Sequence, residues 1–159
     1  MKKYSEKASE AAITPLRGAS VKEGFRECTV FYPLTKWLSG GFGEVQSFFA
    51  KNGIDARAES FAIQIQSEEG AQLAIKSKTD WNIVIVTNPG FHEGQMRLIR
   101  ELIRKRKKVA VICGSFPYEQ FPEEVRNVVA AYWTWPAALK AAFQGLLGER
   151  KMKGVLPFR

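Results

Sequence analysis

Carboxylates and a single histidine are the residues of this chain that could exchange protons with a substrate. Asp80 lies within Thr79-Asp80-Trp81, directly before an apolar run, and His92 is the only histidine. Glutamates occur together at Glu68-Glu69 and Glu123-Glu124, at predicted helix starts and turns, where a helix dipole favours acids without any catalytic purpose. No pair has the setting of a general acid and base. We therefore predict no catalytic residue in this chain and expect a capping or exposed position for His92.

Two glycine-containing turns could bind an anion or carry a nucleophile. Ser39-Gly-Gly-Phe-Gly43 precedes a predicted helix, where backbone N–H groups can cradle a phosphate. It lacks the Gly-Lys-Ser/Thr of a P-loop and the spacing of a dinucleotide fingerprint, so a flexible turn is the favoured interpretation. Gly114-Ser115 ends an apolar run, but Gly-Ser-Phe-Pro is not the Gly-x-Ser-x-Gly of a nucleophile elbow. Neither turn indicates catalysis, and we expect no cofactor and no metal.

The chain is strongly basic, and the excess charge is concentrated. Lysine and arginine number 24 against 16 aspartates and glutamates, which gives a formal charge of +8 over 159 residues. Much of the excess lies in Arg97–Lys108, an amphipathic pattern with a basic polar face. Such a face can bind phosphates or an anionic surface, but a solvated outer helix with cations at its C-terminus is the favoured interpretation. The segment lacks aromatic residues for stacking on bases, so no nucleic-acid partner is expected.

Apolar runs alternate with amphipathic segments along the chain, and this alternation predicts the elements that position these residues. Continuous apolar runs such as Asn82–Thr87 indicate strands covered on both faces. Strands are predicted near 28–32, 54–59, 82–87, 109–113 and 127–132, and helices near 5–14, 44–51, 67–78, 92–105 and 136–147, with Ser67 as an N-cap. The pattern predicts one α/β domain over 1–159, a three-layer α/β/α sandwich with a five- or six-stranded, mainly parallel sheet.

Size and cysteine usage set further bounds. A chain of this length can bury a core without disulfides or metals. Cys28 and Cys113 each lie in a predicted strand and are interpreted as buried thiols. No apolar run is long enough to cross a bilayer, and the charged segment Met1–Lys7 is unlike a signal peptide. Met1 is either a natural start or a boundary within a longer protein, and the location in the cell stays open.

The carboxyl ends of the predicted strands hold the residues best placed to meet a ligand or a partner, because parallel α/β sheets usually bind ligands there. Ser115, Tyr118 and Glu119 follow one strand end, and Trp133 and Trp135 follow the next. Exposed tryptophans at such an edge can stack on sugar rings or pack against a neighbouring domain, and both interpretations remain open. These five residues form the predicted rim of a substrate site or domain interface, with Glu119 in a rim role only. A purely structural corner at Pro117-Tyr118 is the favoured alternative.

Several short motifs occur in the order and spacing of a known family. They are Ala8–Thr14, Asp80–Val86, Gln95–Leu102, Gly114-Ser-Phe-Pro-Tyr118, Tyr132, Gly148-Glu149 and Gly154-Val-Leu-Pro157. Together they resemble the C-terminal domain of family 3 glycoside hydrolases, especially the β-N-acetylglucosaminidase branch. The resemblance covers most of the chain, with only a loose match over residues 33–66.

The resemblance implies the C-terminal, non-catalytic domain of a two-domain β-N-acetylhexosaminidase that trims N-acetylglucosamine from cell-wall fragments. In that branch the nucleophilic Asp and the Asp/His acid–base pair lie on a barrel whose motifs are not in this sequence. Neither Asp80 nor His92 stands in the family's catalytic setting. The implied partner is the barrel of the same parent protein, with an amino sugar as the candidate ligand, and the chain alone is expected to be inactive.

An alternative function follows from the charge and the tryptophans alone. The chain would then be a stand-alone binding module that uses the basic helix and the face of Trp133 and Trp135 for an anionic polymer or a protein partner.

Overall fold

The computed structural model describes residues 7–8, 11–18, 20–21, 25–36, 38, 42–115 and 121–156. In chain order its strands are β1 (Thr14–Arg17), β2 (Glu27–Pro33), β3 (Asp55–Phe61), β4 (Trp81–Val86), β5 (Lys108–Cys113) and β6 (Asn127–Ala130). They form one sheet in the order β1-β6-β5-β4-β2-β3. Only β1 runs antiparallel to its neighbour; the other four pairs are parallel.

Four helices whose bounds lie within the described ranges cover the two faces of this sheet. They are α1 (Gly43–Lys51), α2 (Ser67–Leu73), α3 (Glu93–Arg104) and α4 (Pro136–Leu146), with 3₁₀ turns at Ala74–Lys76 and Pro89–Phe91. The buried side chains of α1 and α4 share one hydrophobic cluster with the sheet, and those of α2 and α3 share the other. The predicted three-layer α/β/α sandwich is confirmed. No helix among the described residues has the length and apolar character that crossing a membrane requires.

The central strands show why both faces need helices. All six residues of β4 are buried, and successive side chains of a strand point to opposite faces. Ile83 and Ile85 join the cluster beneath α1 and α4, whereas Val84 and Val86 join the cluster beneath α2 and α3. A strand with this pattern is stable only between two apolar layers.

The helix α3 carries the basic segment and packs through one apolar stripe. Leu98, Ile99 and Leu102 are fully buried against the sheet. The spacing i, i+1, i+4 places them on one face of the helix. On its other side Glu101 bridges Arg97 and Arg104, with N···O distances of 2.8 and 2.7 Å.

The N-cap of helix α2 lies one residue earlier than predicted. Gln66, not Ser67, is the N-cap residue, and it forms a capping box with Glu69, whose carboxylate accepts the Gln66 N–H at 2.8 Å. In return the Gln66 side chain accepts the backbone N–H of Glu69, a group that has no partner within the helix and that a serine side chain could accept equally. Close packing of α2 on α3 depends on small residues, because a Cβ on Gly70 would collide with the Gly94 carbonyl.

Two elements differ from the sequence prediction. Thr14, placed in the first helix from the sequence, instead begins the edge strand β1, where Pro15 is tolerated because an edge strand can spare one N–H. The last strand ends at Ala130 rather than at Tyr132, because Tyr132 adopts a left-handed backbone with φ of 63°. The chain therefore turns sharply away from the sheet just after β6.

The two cysteines are both buried thiols, as predicted. Cys28 in β2 faces the cluster beneath α1 and α4, and Cys113 in β5 faces the opposite cluster. Because β4 lies between the two strands and the side chains point to opposite faces, they cannot form a disulfide in this fold. Burial, with the nearby charges of Asp55 and Glu27, raises the pKa of the Cys28 thiol to about 12.

Candidate ligand or docking surface at the carboxyl edge

The loops that leave β2, β4, β5 and β6 at their carboxyl ends meet along one side of the sheet, which we call the carboxyl edge. Parallel strands end on the same side, so residues far apart in sequence come together there. One of these loops is the segment Ala131–Trp135, which we call the strap.

The beginning of the strap is held against the end of β5. The backbone N–H groups of Ala131 and Tyr132 both donate to the Cys113 carbonyl, at 2.9 and 3.1 Å. The Tyr132 hydroxyl lies 3.1 Å from the Thr14 hydroxyl of β1. A non-glycine residue with positive φ, such as Tyr132, is uncommon and costs free energy, so it persists only where contacts with its surroundings hold it. These bonds are what fix it here.

The middle of the strap crosses the sheet. Thr134 is buried, and its hydroxyl donates to the Thr35 hydroxyl just after β2, at 3.1 Å. Because β5 and β4 lie between β6 and β2 in the sheet, the strap passes over their carboxyl ends. Gly114 lies beneath it, and a Cβ at that position would clash with the Thr134 methyl group. Part of the crevice where such sheets usually bind ligands is thus occupied by the chain itself.

The predicted rim residue Ser115 connects two neighbouring loops. Its Oγ accepts the backbone N–H of Asn88 at 2.8 Å, and the residue is buried. Asn88 has a φ of 46° and precedes Pro89. The chain therefore turns sharply after β4, and this turn directs the Asn88 N–H toward Ser115. The contact fixes the β4 and β5 loops relative to each other while leaving the Ser115 hydroxyl hydrogen able to donate elsewhere.

Large apolar side chains project from this edge into solvent. Phe91 in the loop after β4 is 87% exposed, Trp133 in the strap 60%, and Leu34 after β2 47%. The Trp133 ring lies 5.7 Å from that of Trp135, centroid to centroid, with an angle of 34° between the planes. Trp135 is half-buried at the start of α4. Because these side chains leave the sheet at the same edge, they are candidates for a ligand or docking site.

The predicted rim residues are only partly within the described chain. Ser115, Trp133 and Trp135 lie at the carboxyl edge, as their positions after strand ends indicated. Tyr118 and Glu119 lie outside the described residues. Two apolar residues of the surface, Leu34 and Phe91, were not predicted. Both are large apolar residues shortly after the end of a buried strand, and this position is the sequence signal by which they could have been found.

The acid–base candidates Asp80 and His92 lie at opposite edges of the sheet, one before β4 and the other after it. Asp80 precedes β4 at the opposite, amino-terminal edge of the sheet, and its carboxylate pairs with the Lys108 ammonium at 2.7 Å. His92 is the N-cap residue of α3 but makes no side-chain capping bond. Within the described residues, no group of histidine, cysteine and carboxylate side chains is arranged to hold a metal ion.

The basic segment reaches the amino-terminal edge, away from the strap. Lys107 Nζ donates to the Thr79 carbonyl at 2.9 Å, and Lys108 Nζ also lies 5.8 Å from the centroid of the Trp81 ring. Part of the basic face is therefore committed to contacts within the domain. The basic end of α3 therefore lies at the opposite edge of the sheet from the rings of Trp133 and Trp135, which we call the tryptophan surface.

The fold is similar to part of several solved enzymes, among them family 3 glycoside hydrolases. A family 3 β-N-acetylglucosaminidase from Paenibacillus sp. str. FPU-7 matches 96% of the chain with 22% identity and a TM-score of 0.71, over 31% of its own length. A fungal multi-domain β-N-acetylglucosaminidase of the same family matches 98% with 17% identity and a TM-score of 0.73, over 18% of its length. A β-glucoside phosphorylase matches 97% with 14% identity and a TM-score of 0.59, over 30% of its length.

The chain therefore spans less than a third of the length of these proteins. The resemblance to the family 3 C-terminal domain, predicted from sequence, is confirmed at the level of the fold, and the coverage is consistent with one domain of a larger protein. No protein-family model matches the sequence, and no curated protein matches it.

Proposed function

We propose that this chain is the C-terminal, non-catalytic domain of a two-domain β-N-acetylhexosaminidase acting on amino sugars of cell-wall fragments. One observation carries the proposal: nearly the whole chain has the fold of one part of two β-N-acetylglucosaminidases. In each of these enzymes the matching part is less than a third of the length. The short motifs around Gly114, Tyr132 and Gly154 support the same assignment.

The chemistry of the carboxyl edge supports a non-catalytic role. Glycoside hydrolysis usually needs two carboxyl groups on opposite sides of the scissile bond. The described loops at this edge expose the large apolar side chains of Leu34, Phe91 and Trp133. The exposed carboxylates of Glu44 and Glu93 lie in the first turns of α1 and α3, where a helix dipole favours acids without any catalytic purpose. Asp80, whose sequence setting is superficially like that of a nucleophile, is held at the opposite edge by Lys108. The acid and the nucleophile would then come from the barrel.

We assign the carboxyl edge as the side of the domain that faces the barrel. A docked barrel would cover the exposed rings of Phe91 and Trp133 and remove their apolar area from water. Trp133 and Trp135, with Ser115 on the neighbouring loop and the sequence-predicted Tyr118 and Glu119, would form the rim between the two domains. A tryptophan face at that rim could stack on the apolar face of an amino sugar.

The first test is the size of the native protein. An antibody raised against this chain, used on an immunoblot of source cells, should detect a band several times heavier than the chain. The missing mass should contain the barrel and its catalytic residues. A band at the size of this chain alone would overturn the two-domain proposal.

The second test is activity of the chain by itself. Purified chain should not hydrolyse an aryl N-acetylglucosaminide above the uncatalysed rate. Turnover that Asp80→Asn abolishes and the matched variant Asp55→Asn leaves intact would contradict the non-catalytic assignment. Asp55 is a suitable control because it is an exposed aspartate at the same, amino-terminal edge.

The alternative, a binding module for an anionic polymer or a protein, rests on three exposed cations at the end of α3, Arg104, Lys105 and Arg106. Since the tryptophan surface lies at the carboxyl edge and these cations lie at the amino-terminal edge, one small ligand would not contact both. Binding of an anionic polymer that weakens steeply with salt would favour this alternative, because phosphate contacts release counterions. Weak, salt-independent binding of N-acetylglucosamine would favour the glycosidase domain.

A further inference from the structure

The outer edge of β3 carries a self-complementary arrangement of backbone groups and charges. β3 pairs with β2 along one side, and no described strand pairs with its other side. The Asp55 N–H donates to the Arg26 carbonyl, and the Phe61 carbonyl accepts the Leu34 N–H. Backbone groups alternate between the two sides of a strand, so the N–H and C=O groups of Ala56, Ala58 and Ser60 face the open edge.

The side chains of this strand also alternate. Ala56 and Ala58 pack toward the cluster beneath α1 and α4. Arg57 and Glu59 point to the other face, where they line an open groove of about 500 Å³ together with the exposed Ile75. The Glu59 carboxylate lies 3.3 Å from the Lys76 ammonium, and both side chains remain partly exposed. The edge thus presents one cation, Arg57, between two anions on the same face, Asp55 and Glu59.

We propose that this chain forms a symmetric dimer in which β3 pairs antiparallel with β3 of a second copy, centred on Ala58. A two-fold axis at Ala58 places Arg57 opposite Glu59 of the second copy, and Glu59 opposite its Arg57. Those two positions are the non-hydrogen-bonded pairs of the ladder, where facing side chains lie closest. Ala58 faces its own copy as a hydrogen-bonded pair, and the groups of Ala56 meet those of Ser60.

Other symmetric registers are less favourable. A centre at Arg57 puts two arginines opposite each other and Asp55 opposite Glu59, so every facing charged pair repels. A centre at Glu59 puts two glutamates opposite each other. A centre at Ala56 pairs Asp55 with Arg57 but overlaps only the first part of β3. The centre at Ala58 uses all seven residues of the strand and makes both ionic pairs favourable.

The second copy, rather than an unrelated strand, fits this edge because a two-fold contact must match a surface to itself. Arg57 and Glu59 alone make this edge complementary to its own copy, because each faces the opposite charge across the two-fold axis. Glu59 would lie between Lys76 of its own chain and Arg57 of the second copy. The exposed Ile75 beside the same groove would flank the ionic pairs with apolar area. The inference is independent of the glycosidase assignment, since it concerns the edge of the sheet and not its carboxyl end.

The test is the mass of the chain in solution, measured by sedimentation equilibrium over a range of concentrations. The natural sequence should approach twice the mass of one chain. Arg57→Glu should weaken association about tenfold to a hundredfold, because both facing pairs change from attractive to repulsive. The double change Arg57→Glu with Glu59→Arg should restore the dimer, since the pairs become complementary again in the same register. Arg100→Glu makes the same charge change at an exposed position of α3, away from β3, and should leave the mass unchanged.

A second variant protects the test against misfolding. Ala58→Pro removes an N–H that faces the open edge, which an edge strand tolerates in the monomer, and it should abolish the dimer while the circular dichroism spectrum is retained. A monomer at every concentration would overturn the proposal. So would a dimer that Arg57→Glu and Ala58→Pro both leave intact, or a double charge swap that fails to restore association.

Discussion

The hydroxyl of Thr134 donates to the hydroxyl of Thr35 at 3.1 Å and so links the ends of two strands that are separated by two others. Thr134→Val keeps the shape of the side chain and removes this donor. We expect the free energy of unfolding to fall by about 1 kcal/mol, the usual net value of such a bond, as measured by urea denaturation. Thr134→Ser is the control, because it keeps the hydroxyl. A larger loss with Ser than with Val would show that methyl packing holds the strap.

The contact of Gly114 with Thr134 can be measured by a double-mutant cycle. Gly114→Ala should lower the free energy of unfolding by about 1–3 kcal/mol, because the added Cβ clashes with the Thr134 methyl group. In a Thr134→Ser background, which lacks that methyl group, the same change should cost clearly less. Equal costs in both backgrounds would mean that the strap does not rest on Gly114.

Trp133 is expected to contribute little to the stability of this domain. Its ring is 60% exposed, so Trp133→Ala should change the free energy of unfolding by no more than about 0.5 kcal/mol. Trp135→Ala should cost more, because that ring is half-buried at the start of α4. Thermal unfolding of both variants provides the comparison. A loss of several kcal/mol with Trp133→Ala would make this ring part of the core and would weaken its assignment as a docking residue.

The buried thiol of Cys28 should make the fold sensitive to alkali. Burial raises its pKa from 9.0 to about 12, so between these values the unfolded chain releases a proton that the folded chain keeps. Stability should therefore fall as pH rises above about 9, by up to about 1.4 kcal/mol per pH unit for this one group. Unfolding of Cys28→Ala, followed from pH 8 to 10.5, should show a smaller decline. An identical decline would assign the effect to other groups.

Glu101 should stabilise α3 only while it is ionised. The hydrogen bond from Arg104, with the charges of Arg104 and Arg97, lowers the pKa of the Glu101 carboxyl below its ordinary value of 4.5. The unfolded chain therefore takes up a proton first, and the contribution present at neutral pH is lost as pH falls below about 4.5. Glu101→Gln should be less stable than the natural sequence at pH 7, and the difference should shrink toward pH 3. A constant difference would indicate packing rather than charge.

The sequence predicted the central part of this fold well for a physical reason. Strands such as β4 and β5 are apolar at every position, and only a sheet covered on both faces accommodates such runs. The edge strand β1 was missed because its four residues, which begin with Thr14 and Pro15, show no periodic pattern of apolar side chains. Its conformation depends on pairing with β6, whose residues lie more than a hundred positions later. Local patterns contain no information about such a partner.

The candidate site was predicted only in part, and the limits have the same origin. Ser115, Trp133 and Trp135 could be placed at the carboxyl edge because each follows a recognisable strand. That Ser115 would accept the Asn88 N–H, and that Thr134 would reach Thr35, depends on the order of strands in the sheet. Strand order is fixed by crossovers between distant segments rather than by local sequence, so the path of the strap could not be anticipated.

The pairing of Thr14 with Ala130 has a consequence for how the domain is made. β1 leaves the ribosome before the other described strands of this domain and has no partner until β6 has been synthesised. Its edge of the sheet therefore closes only after nearly the whole domain exists. The loop between Thr14 and Ala130 is long, and the entropic cost of closing it arises late in synthesis. Such pairing between distant segments slows folding. A nascent chain that stops before Asn127 would leave both β1 and the exposed side of β5 open to other strands, which is the state in which such a protein would most need a chaperone.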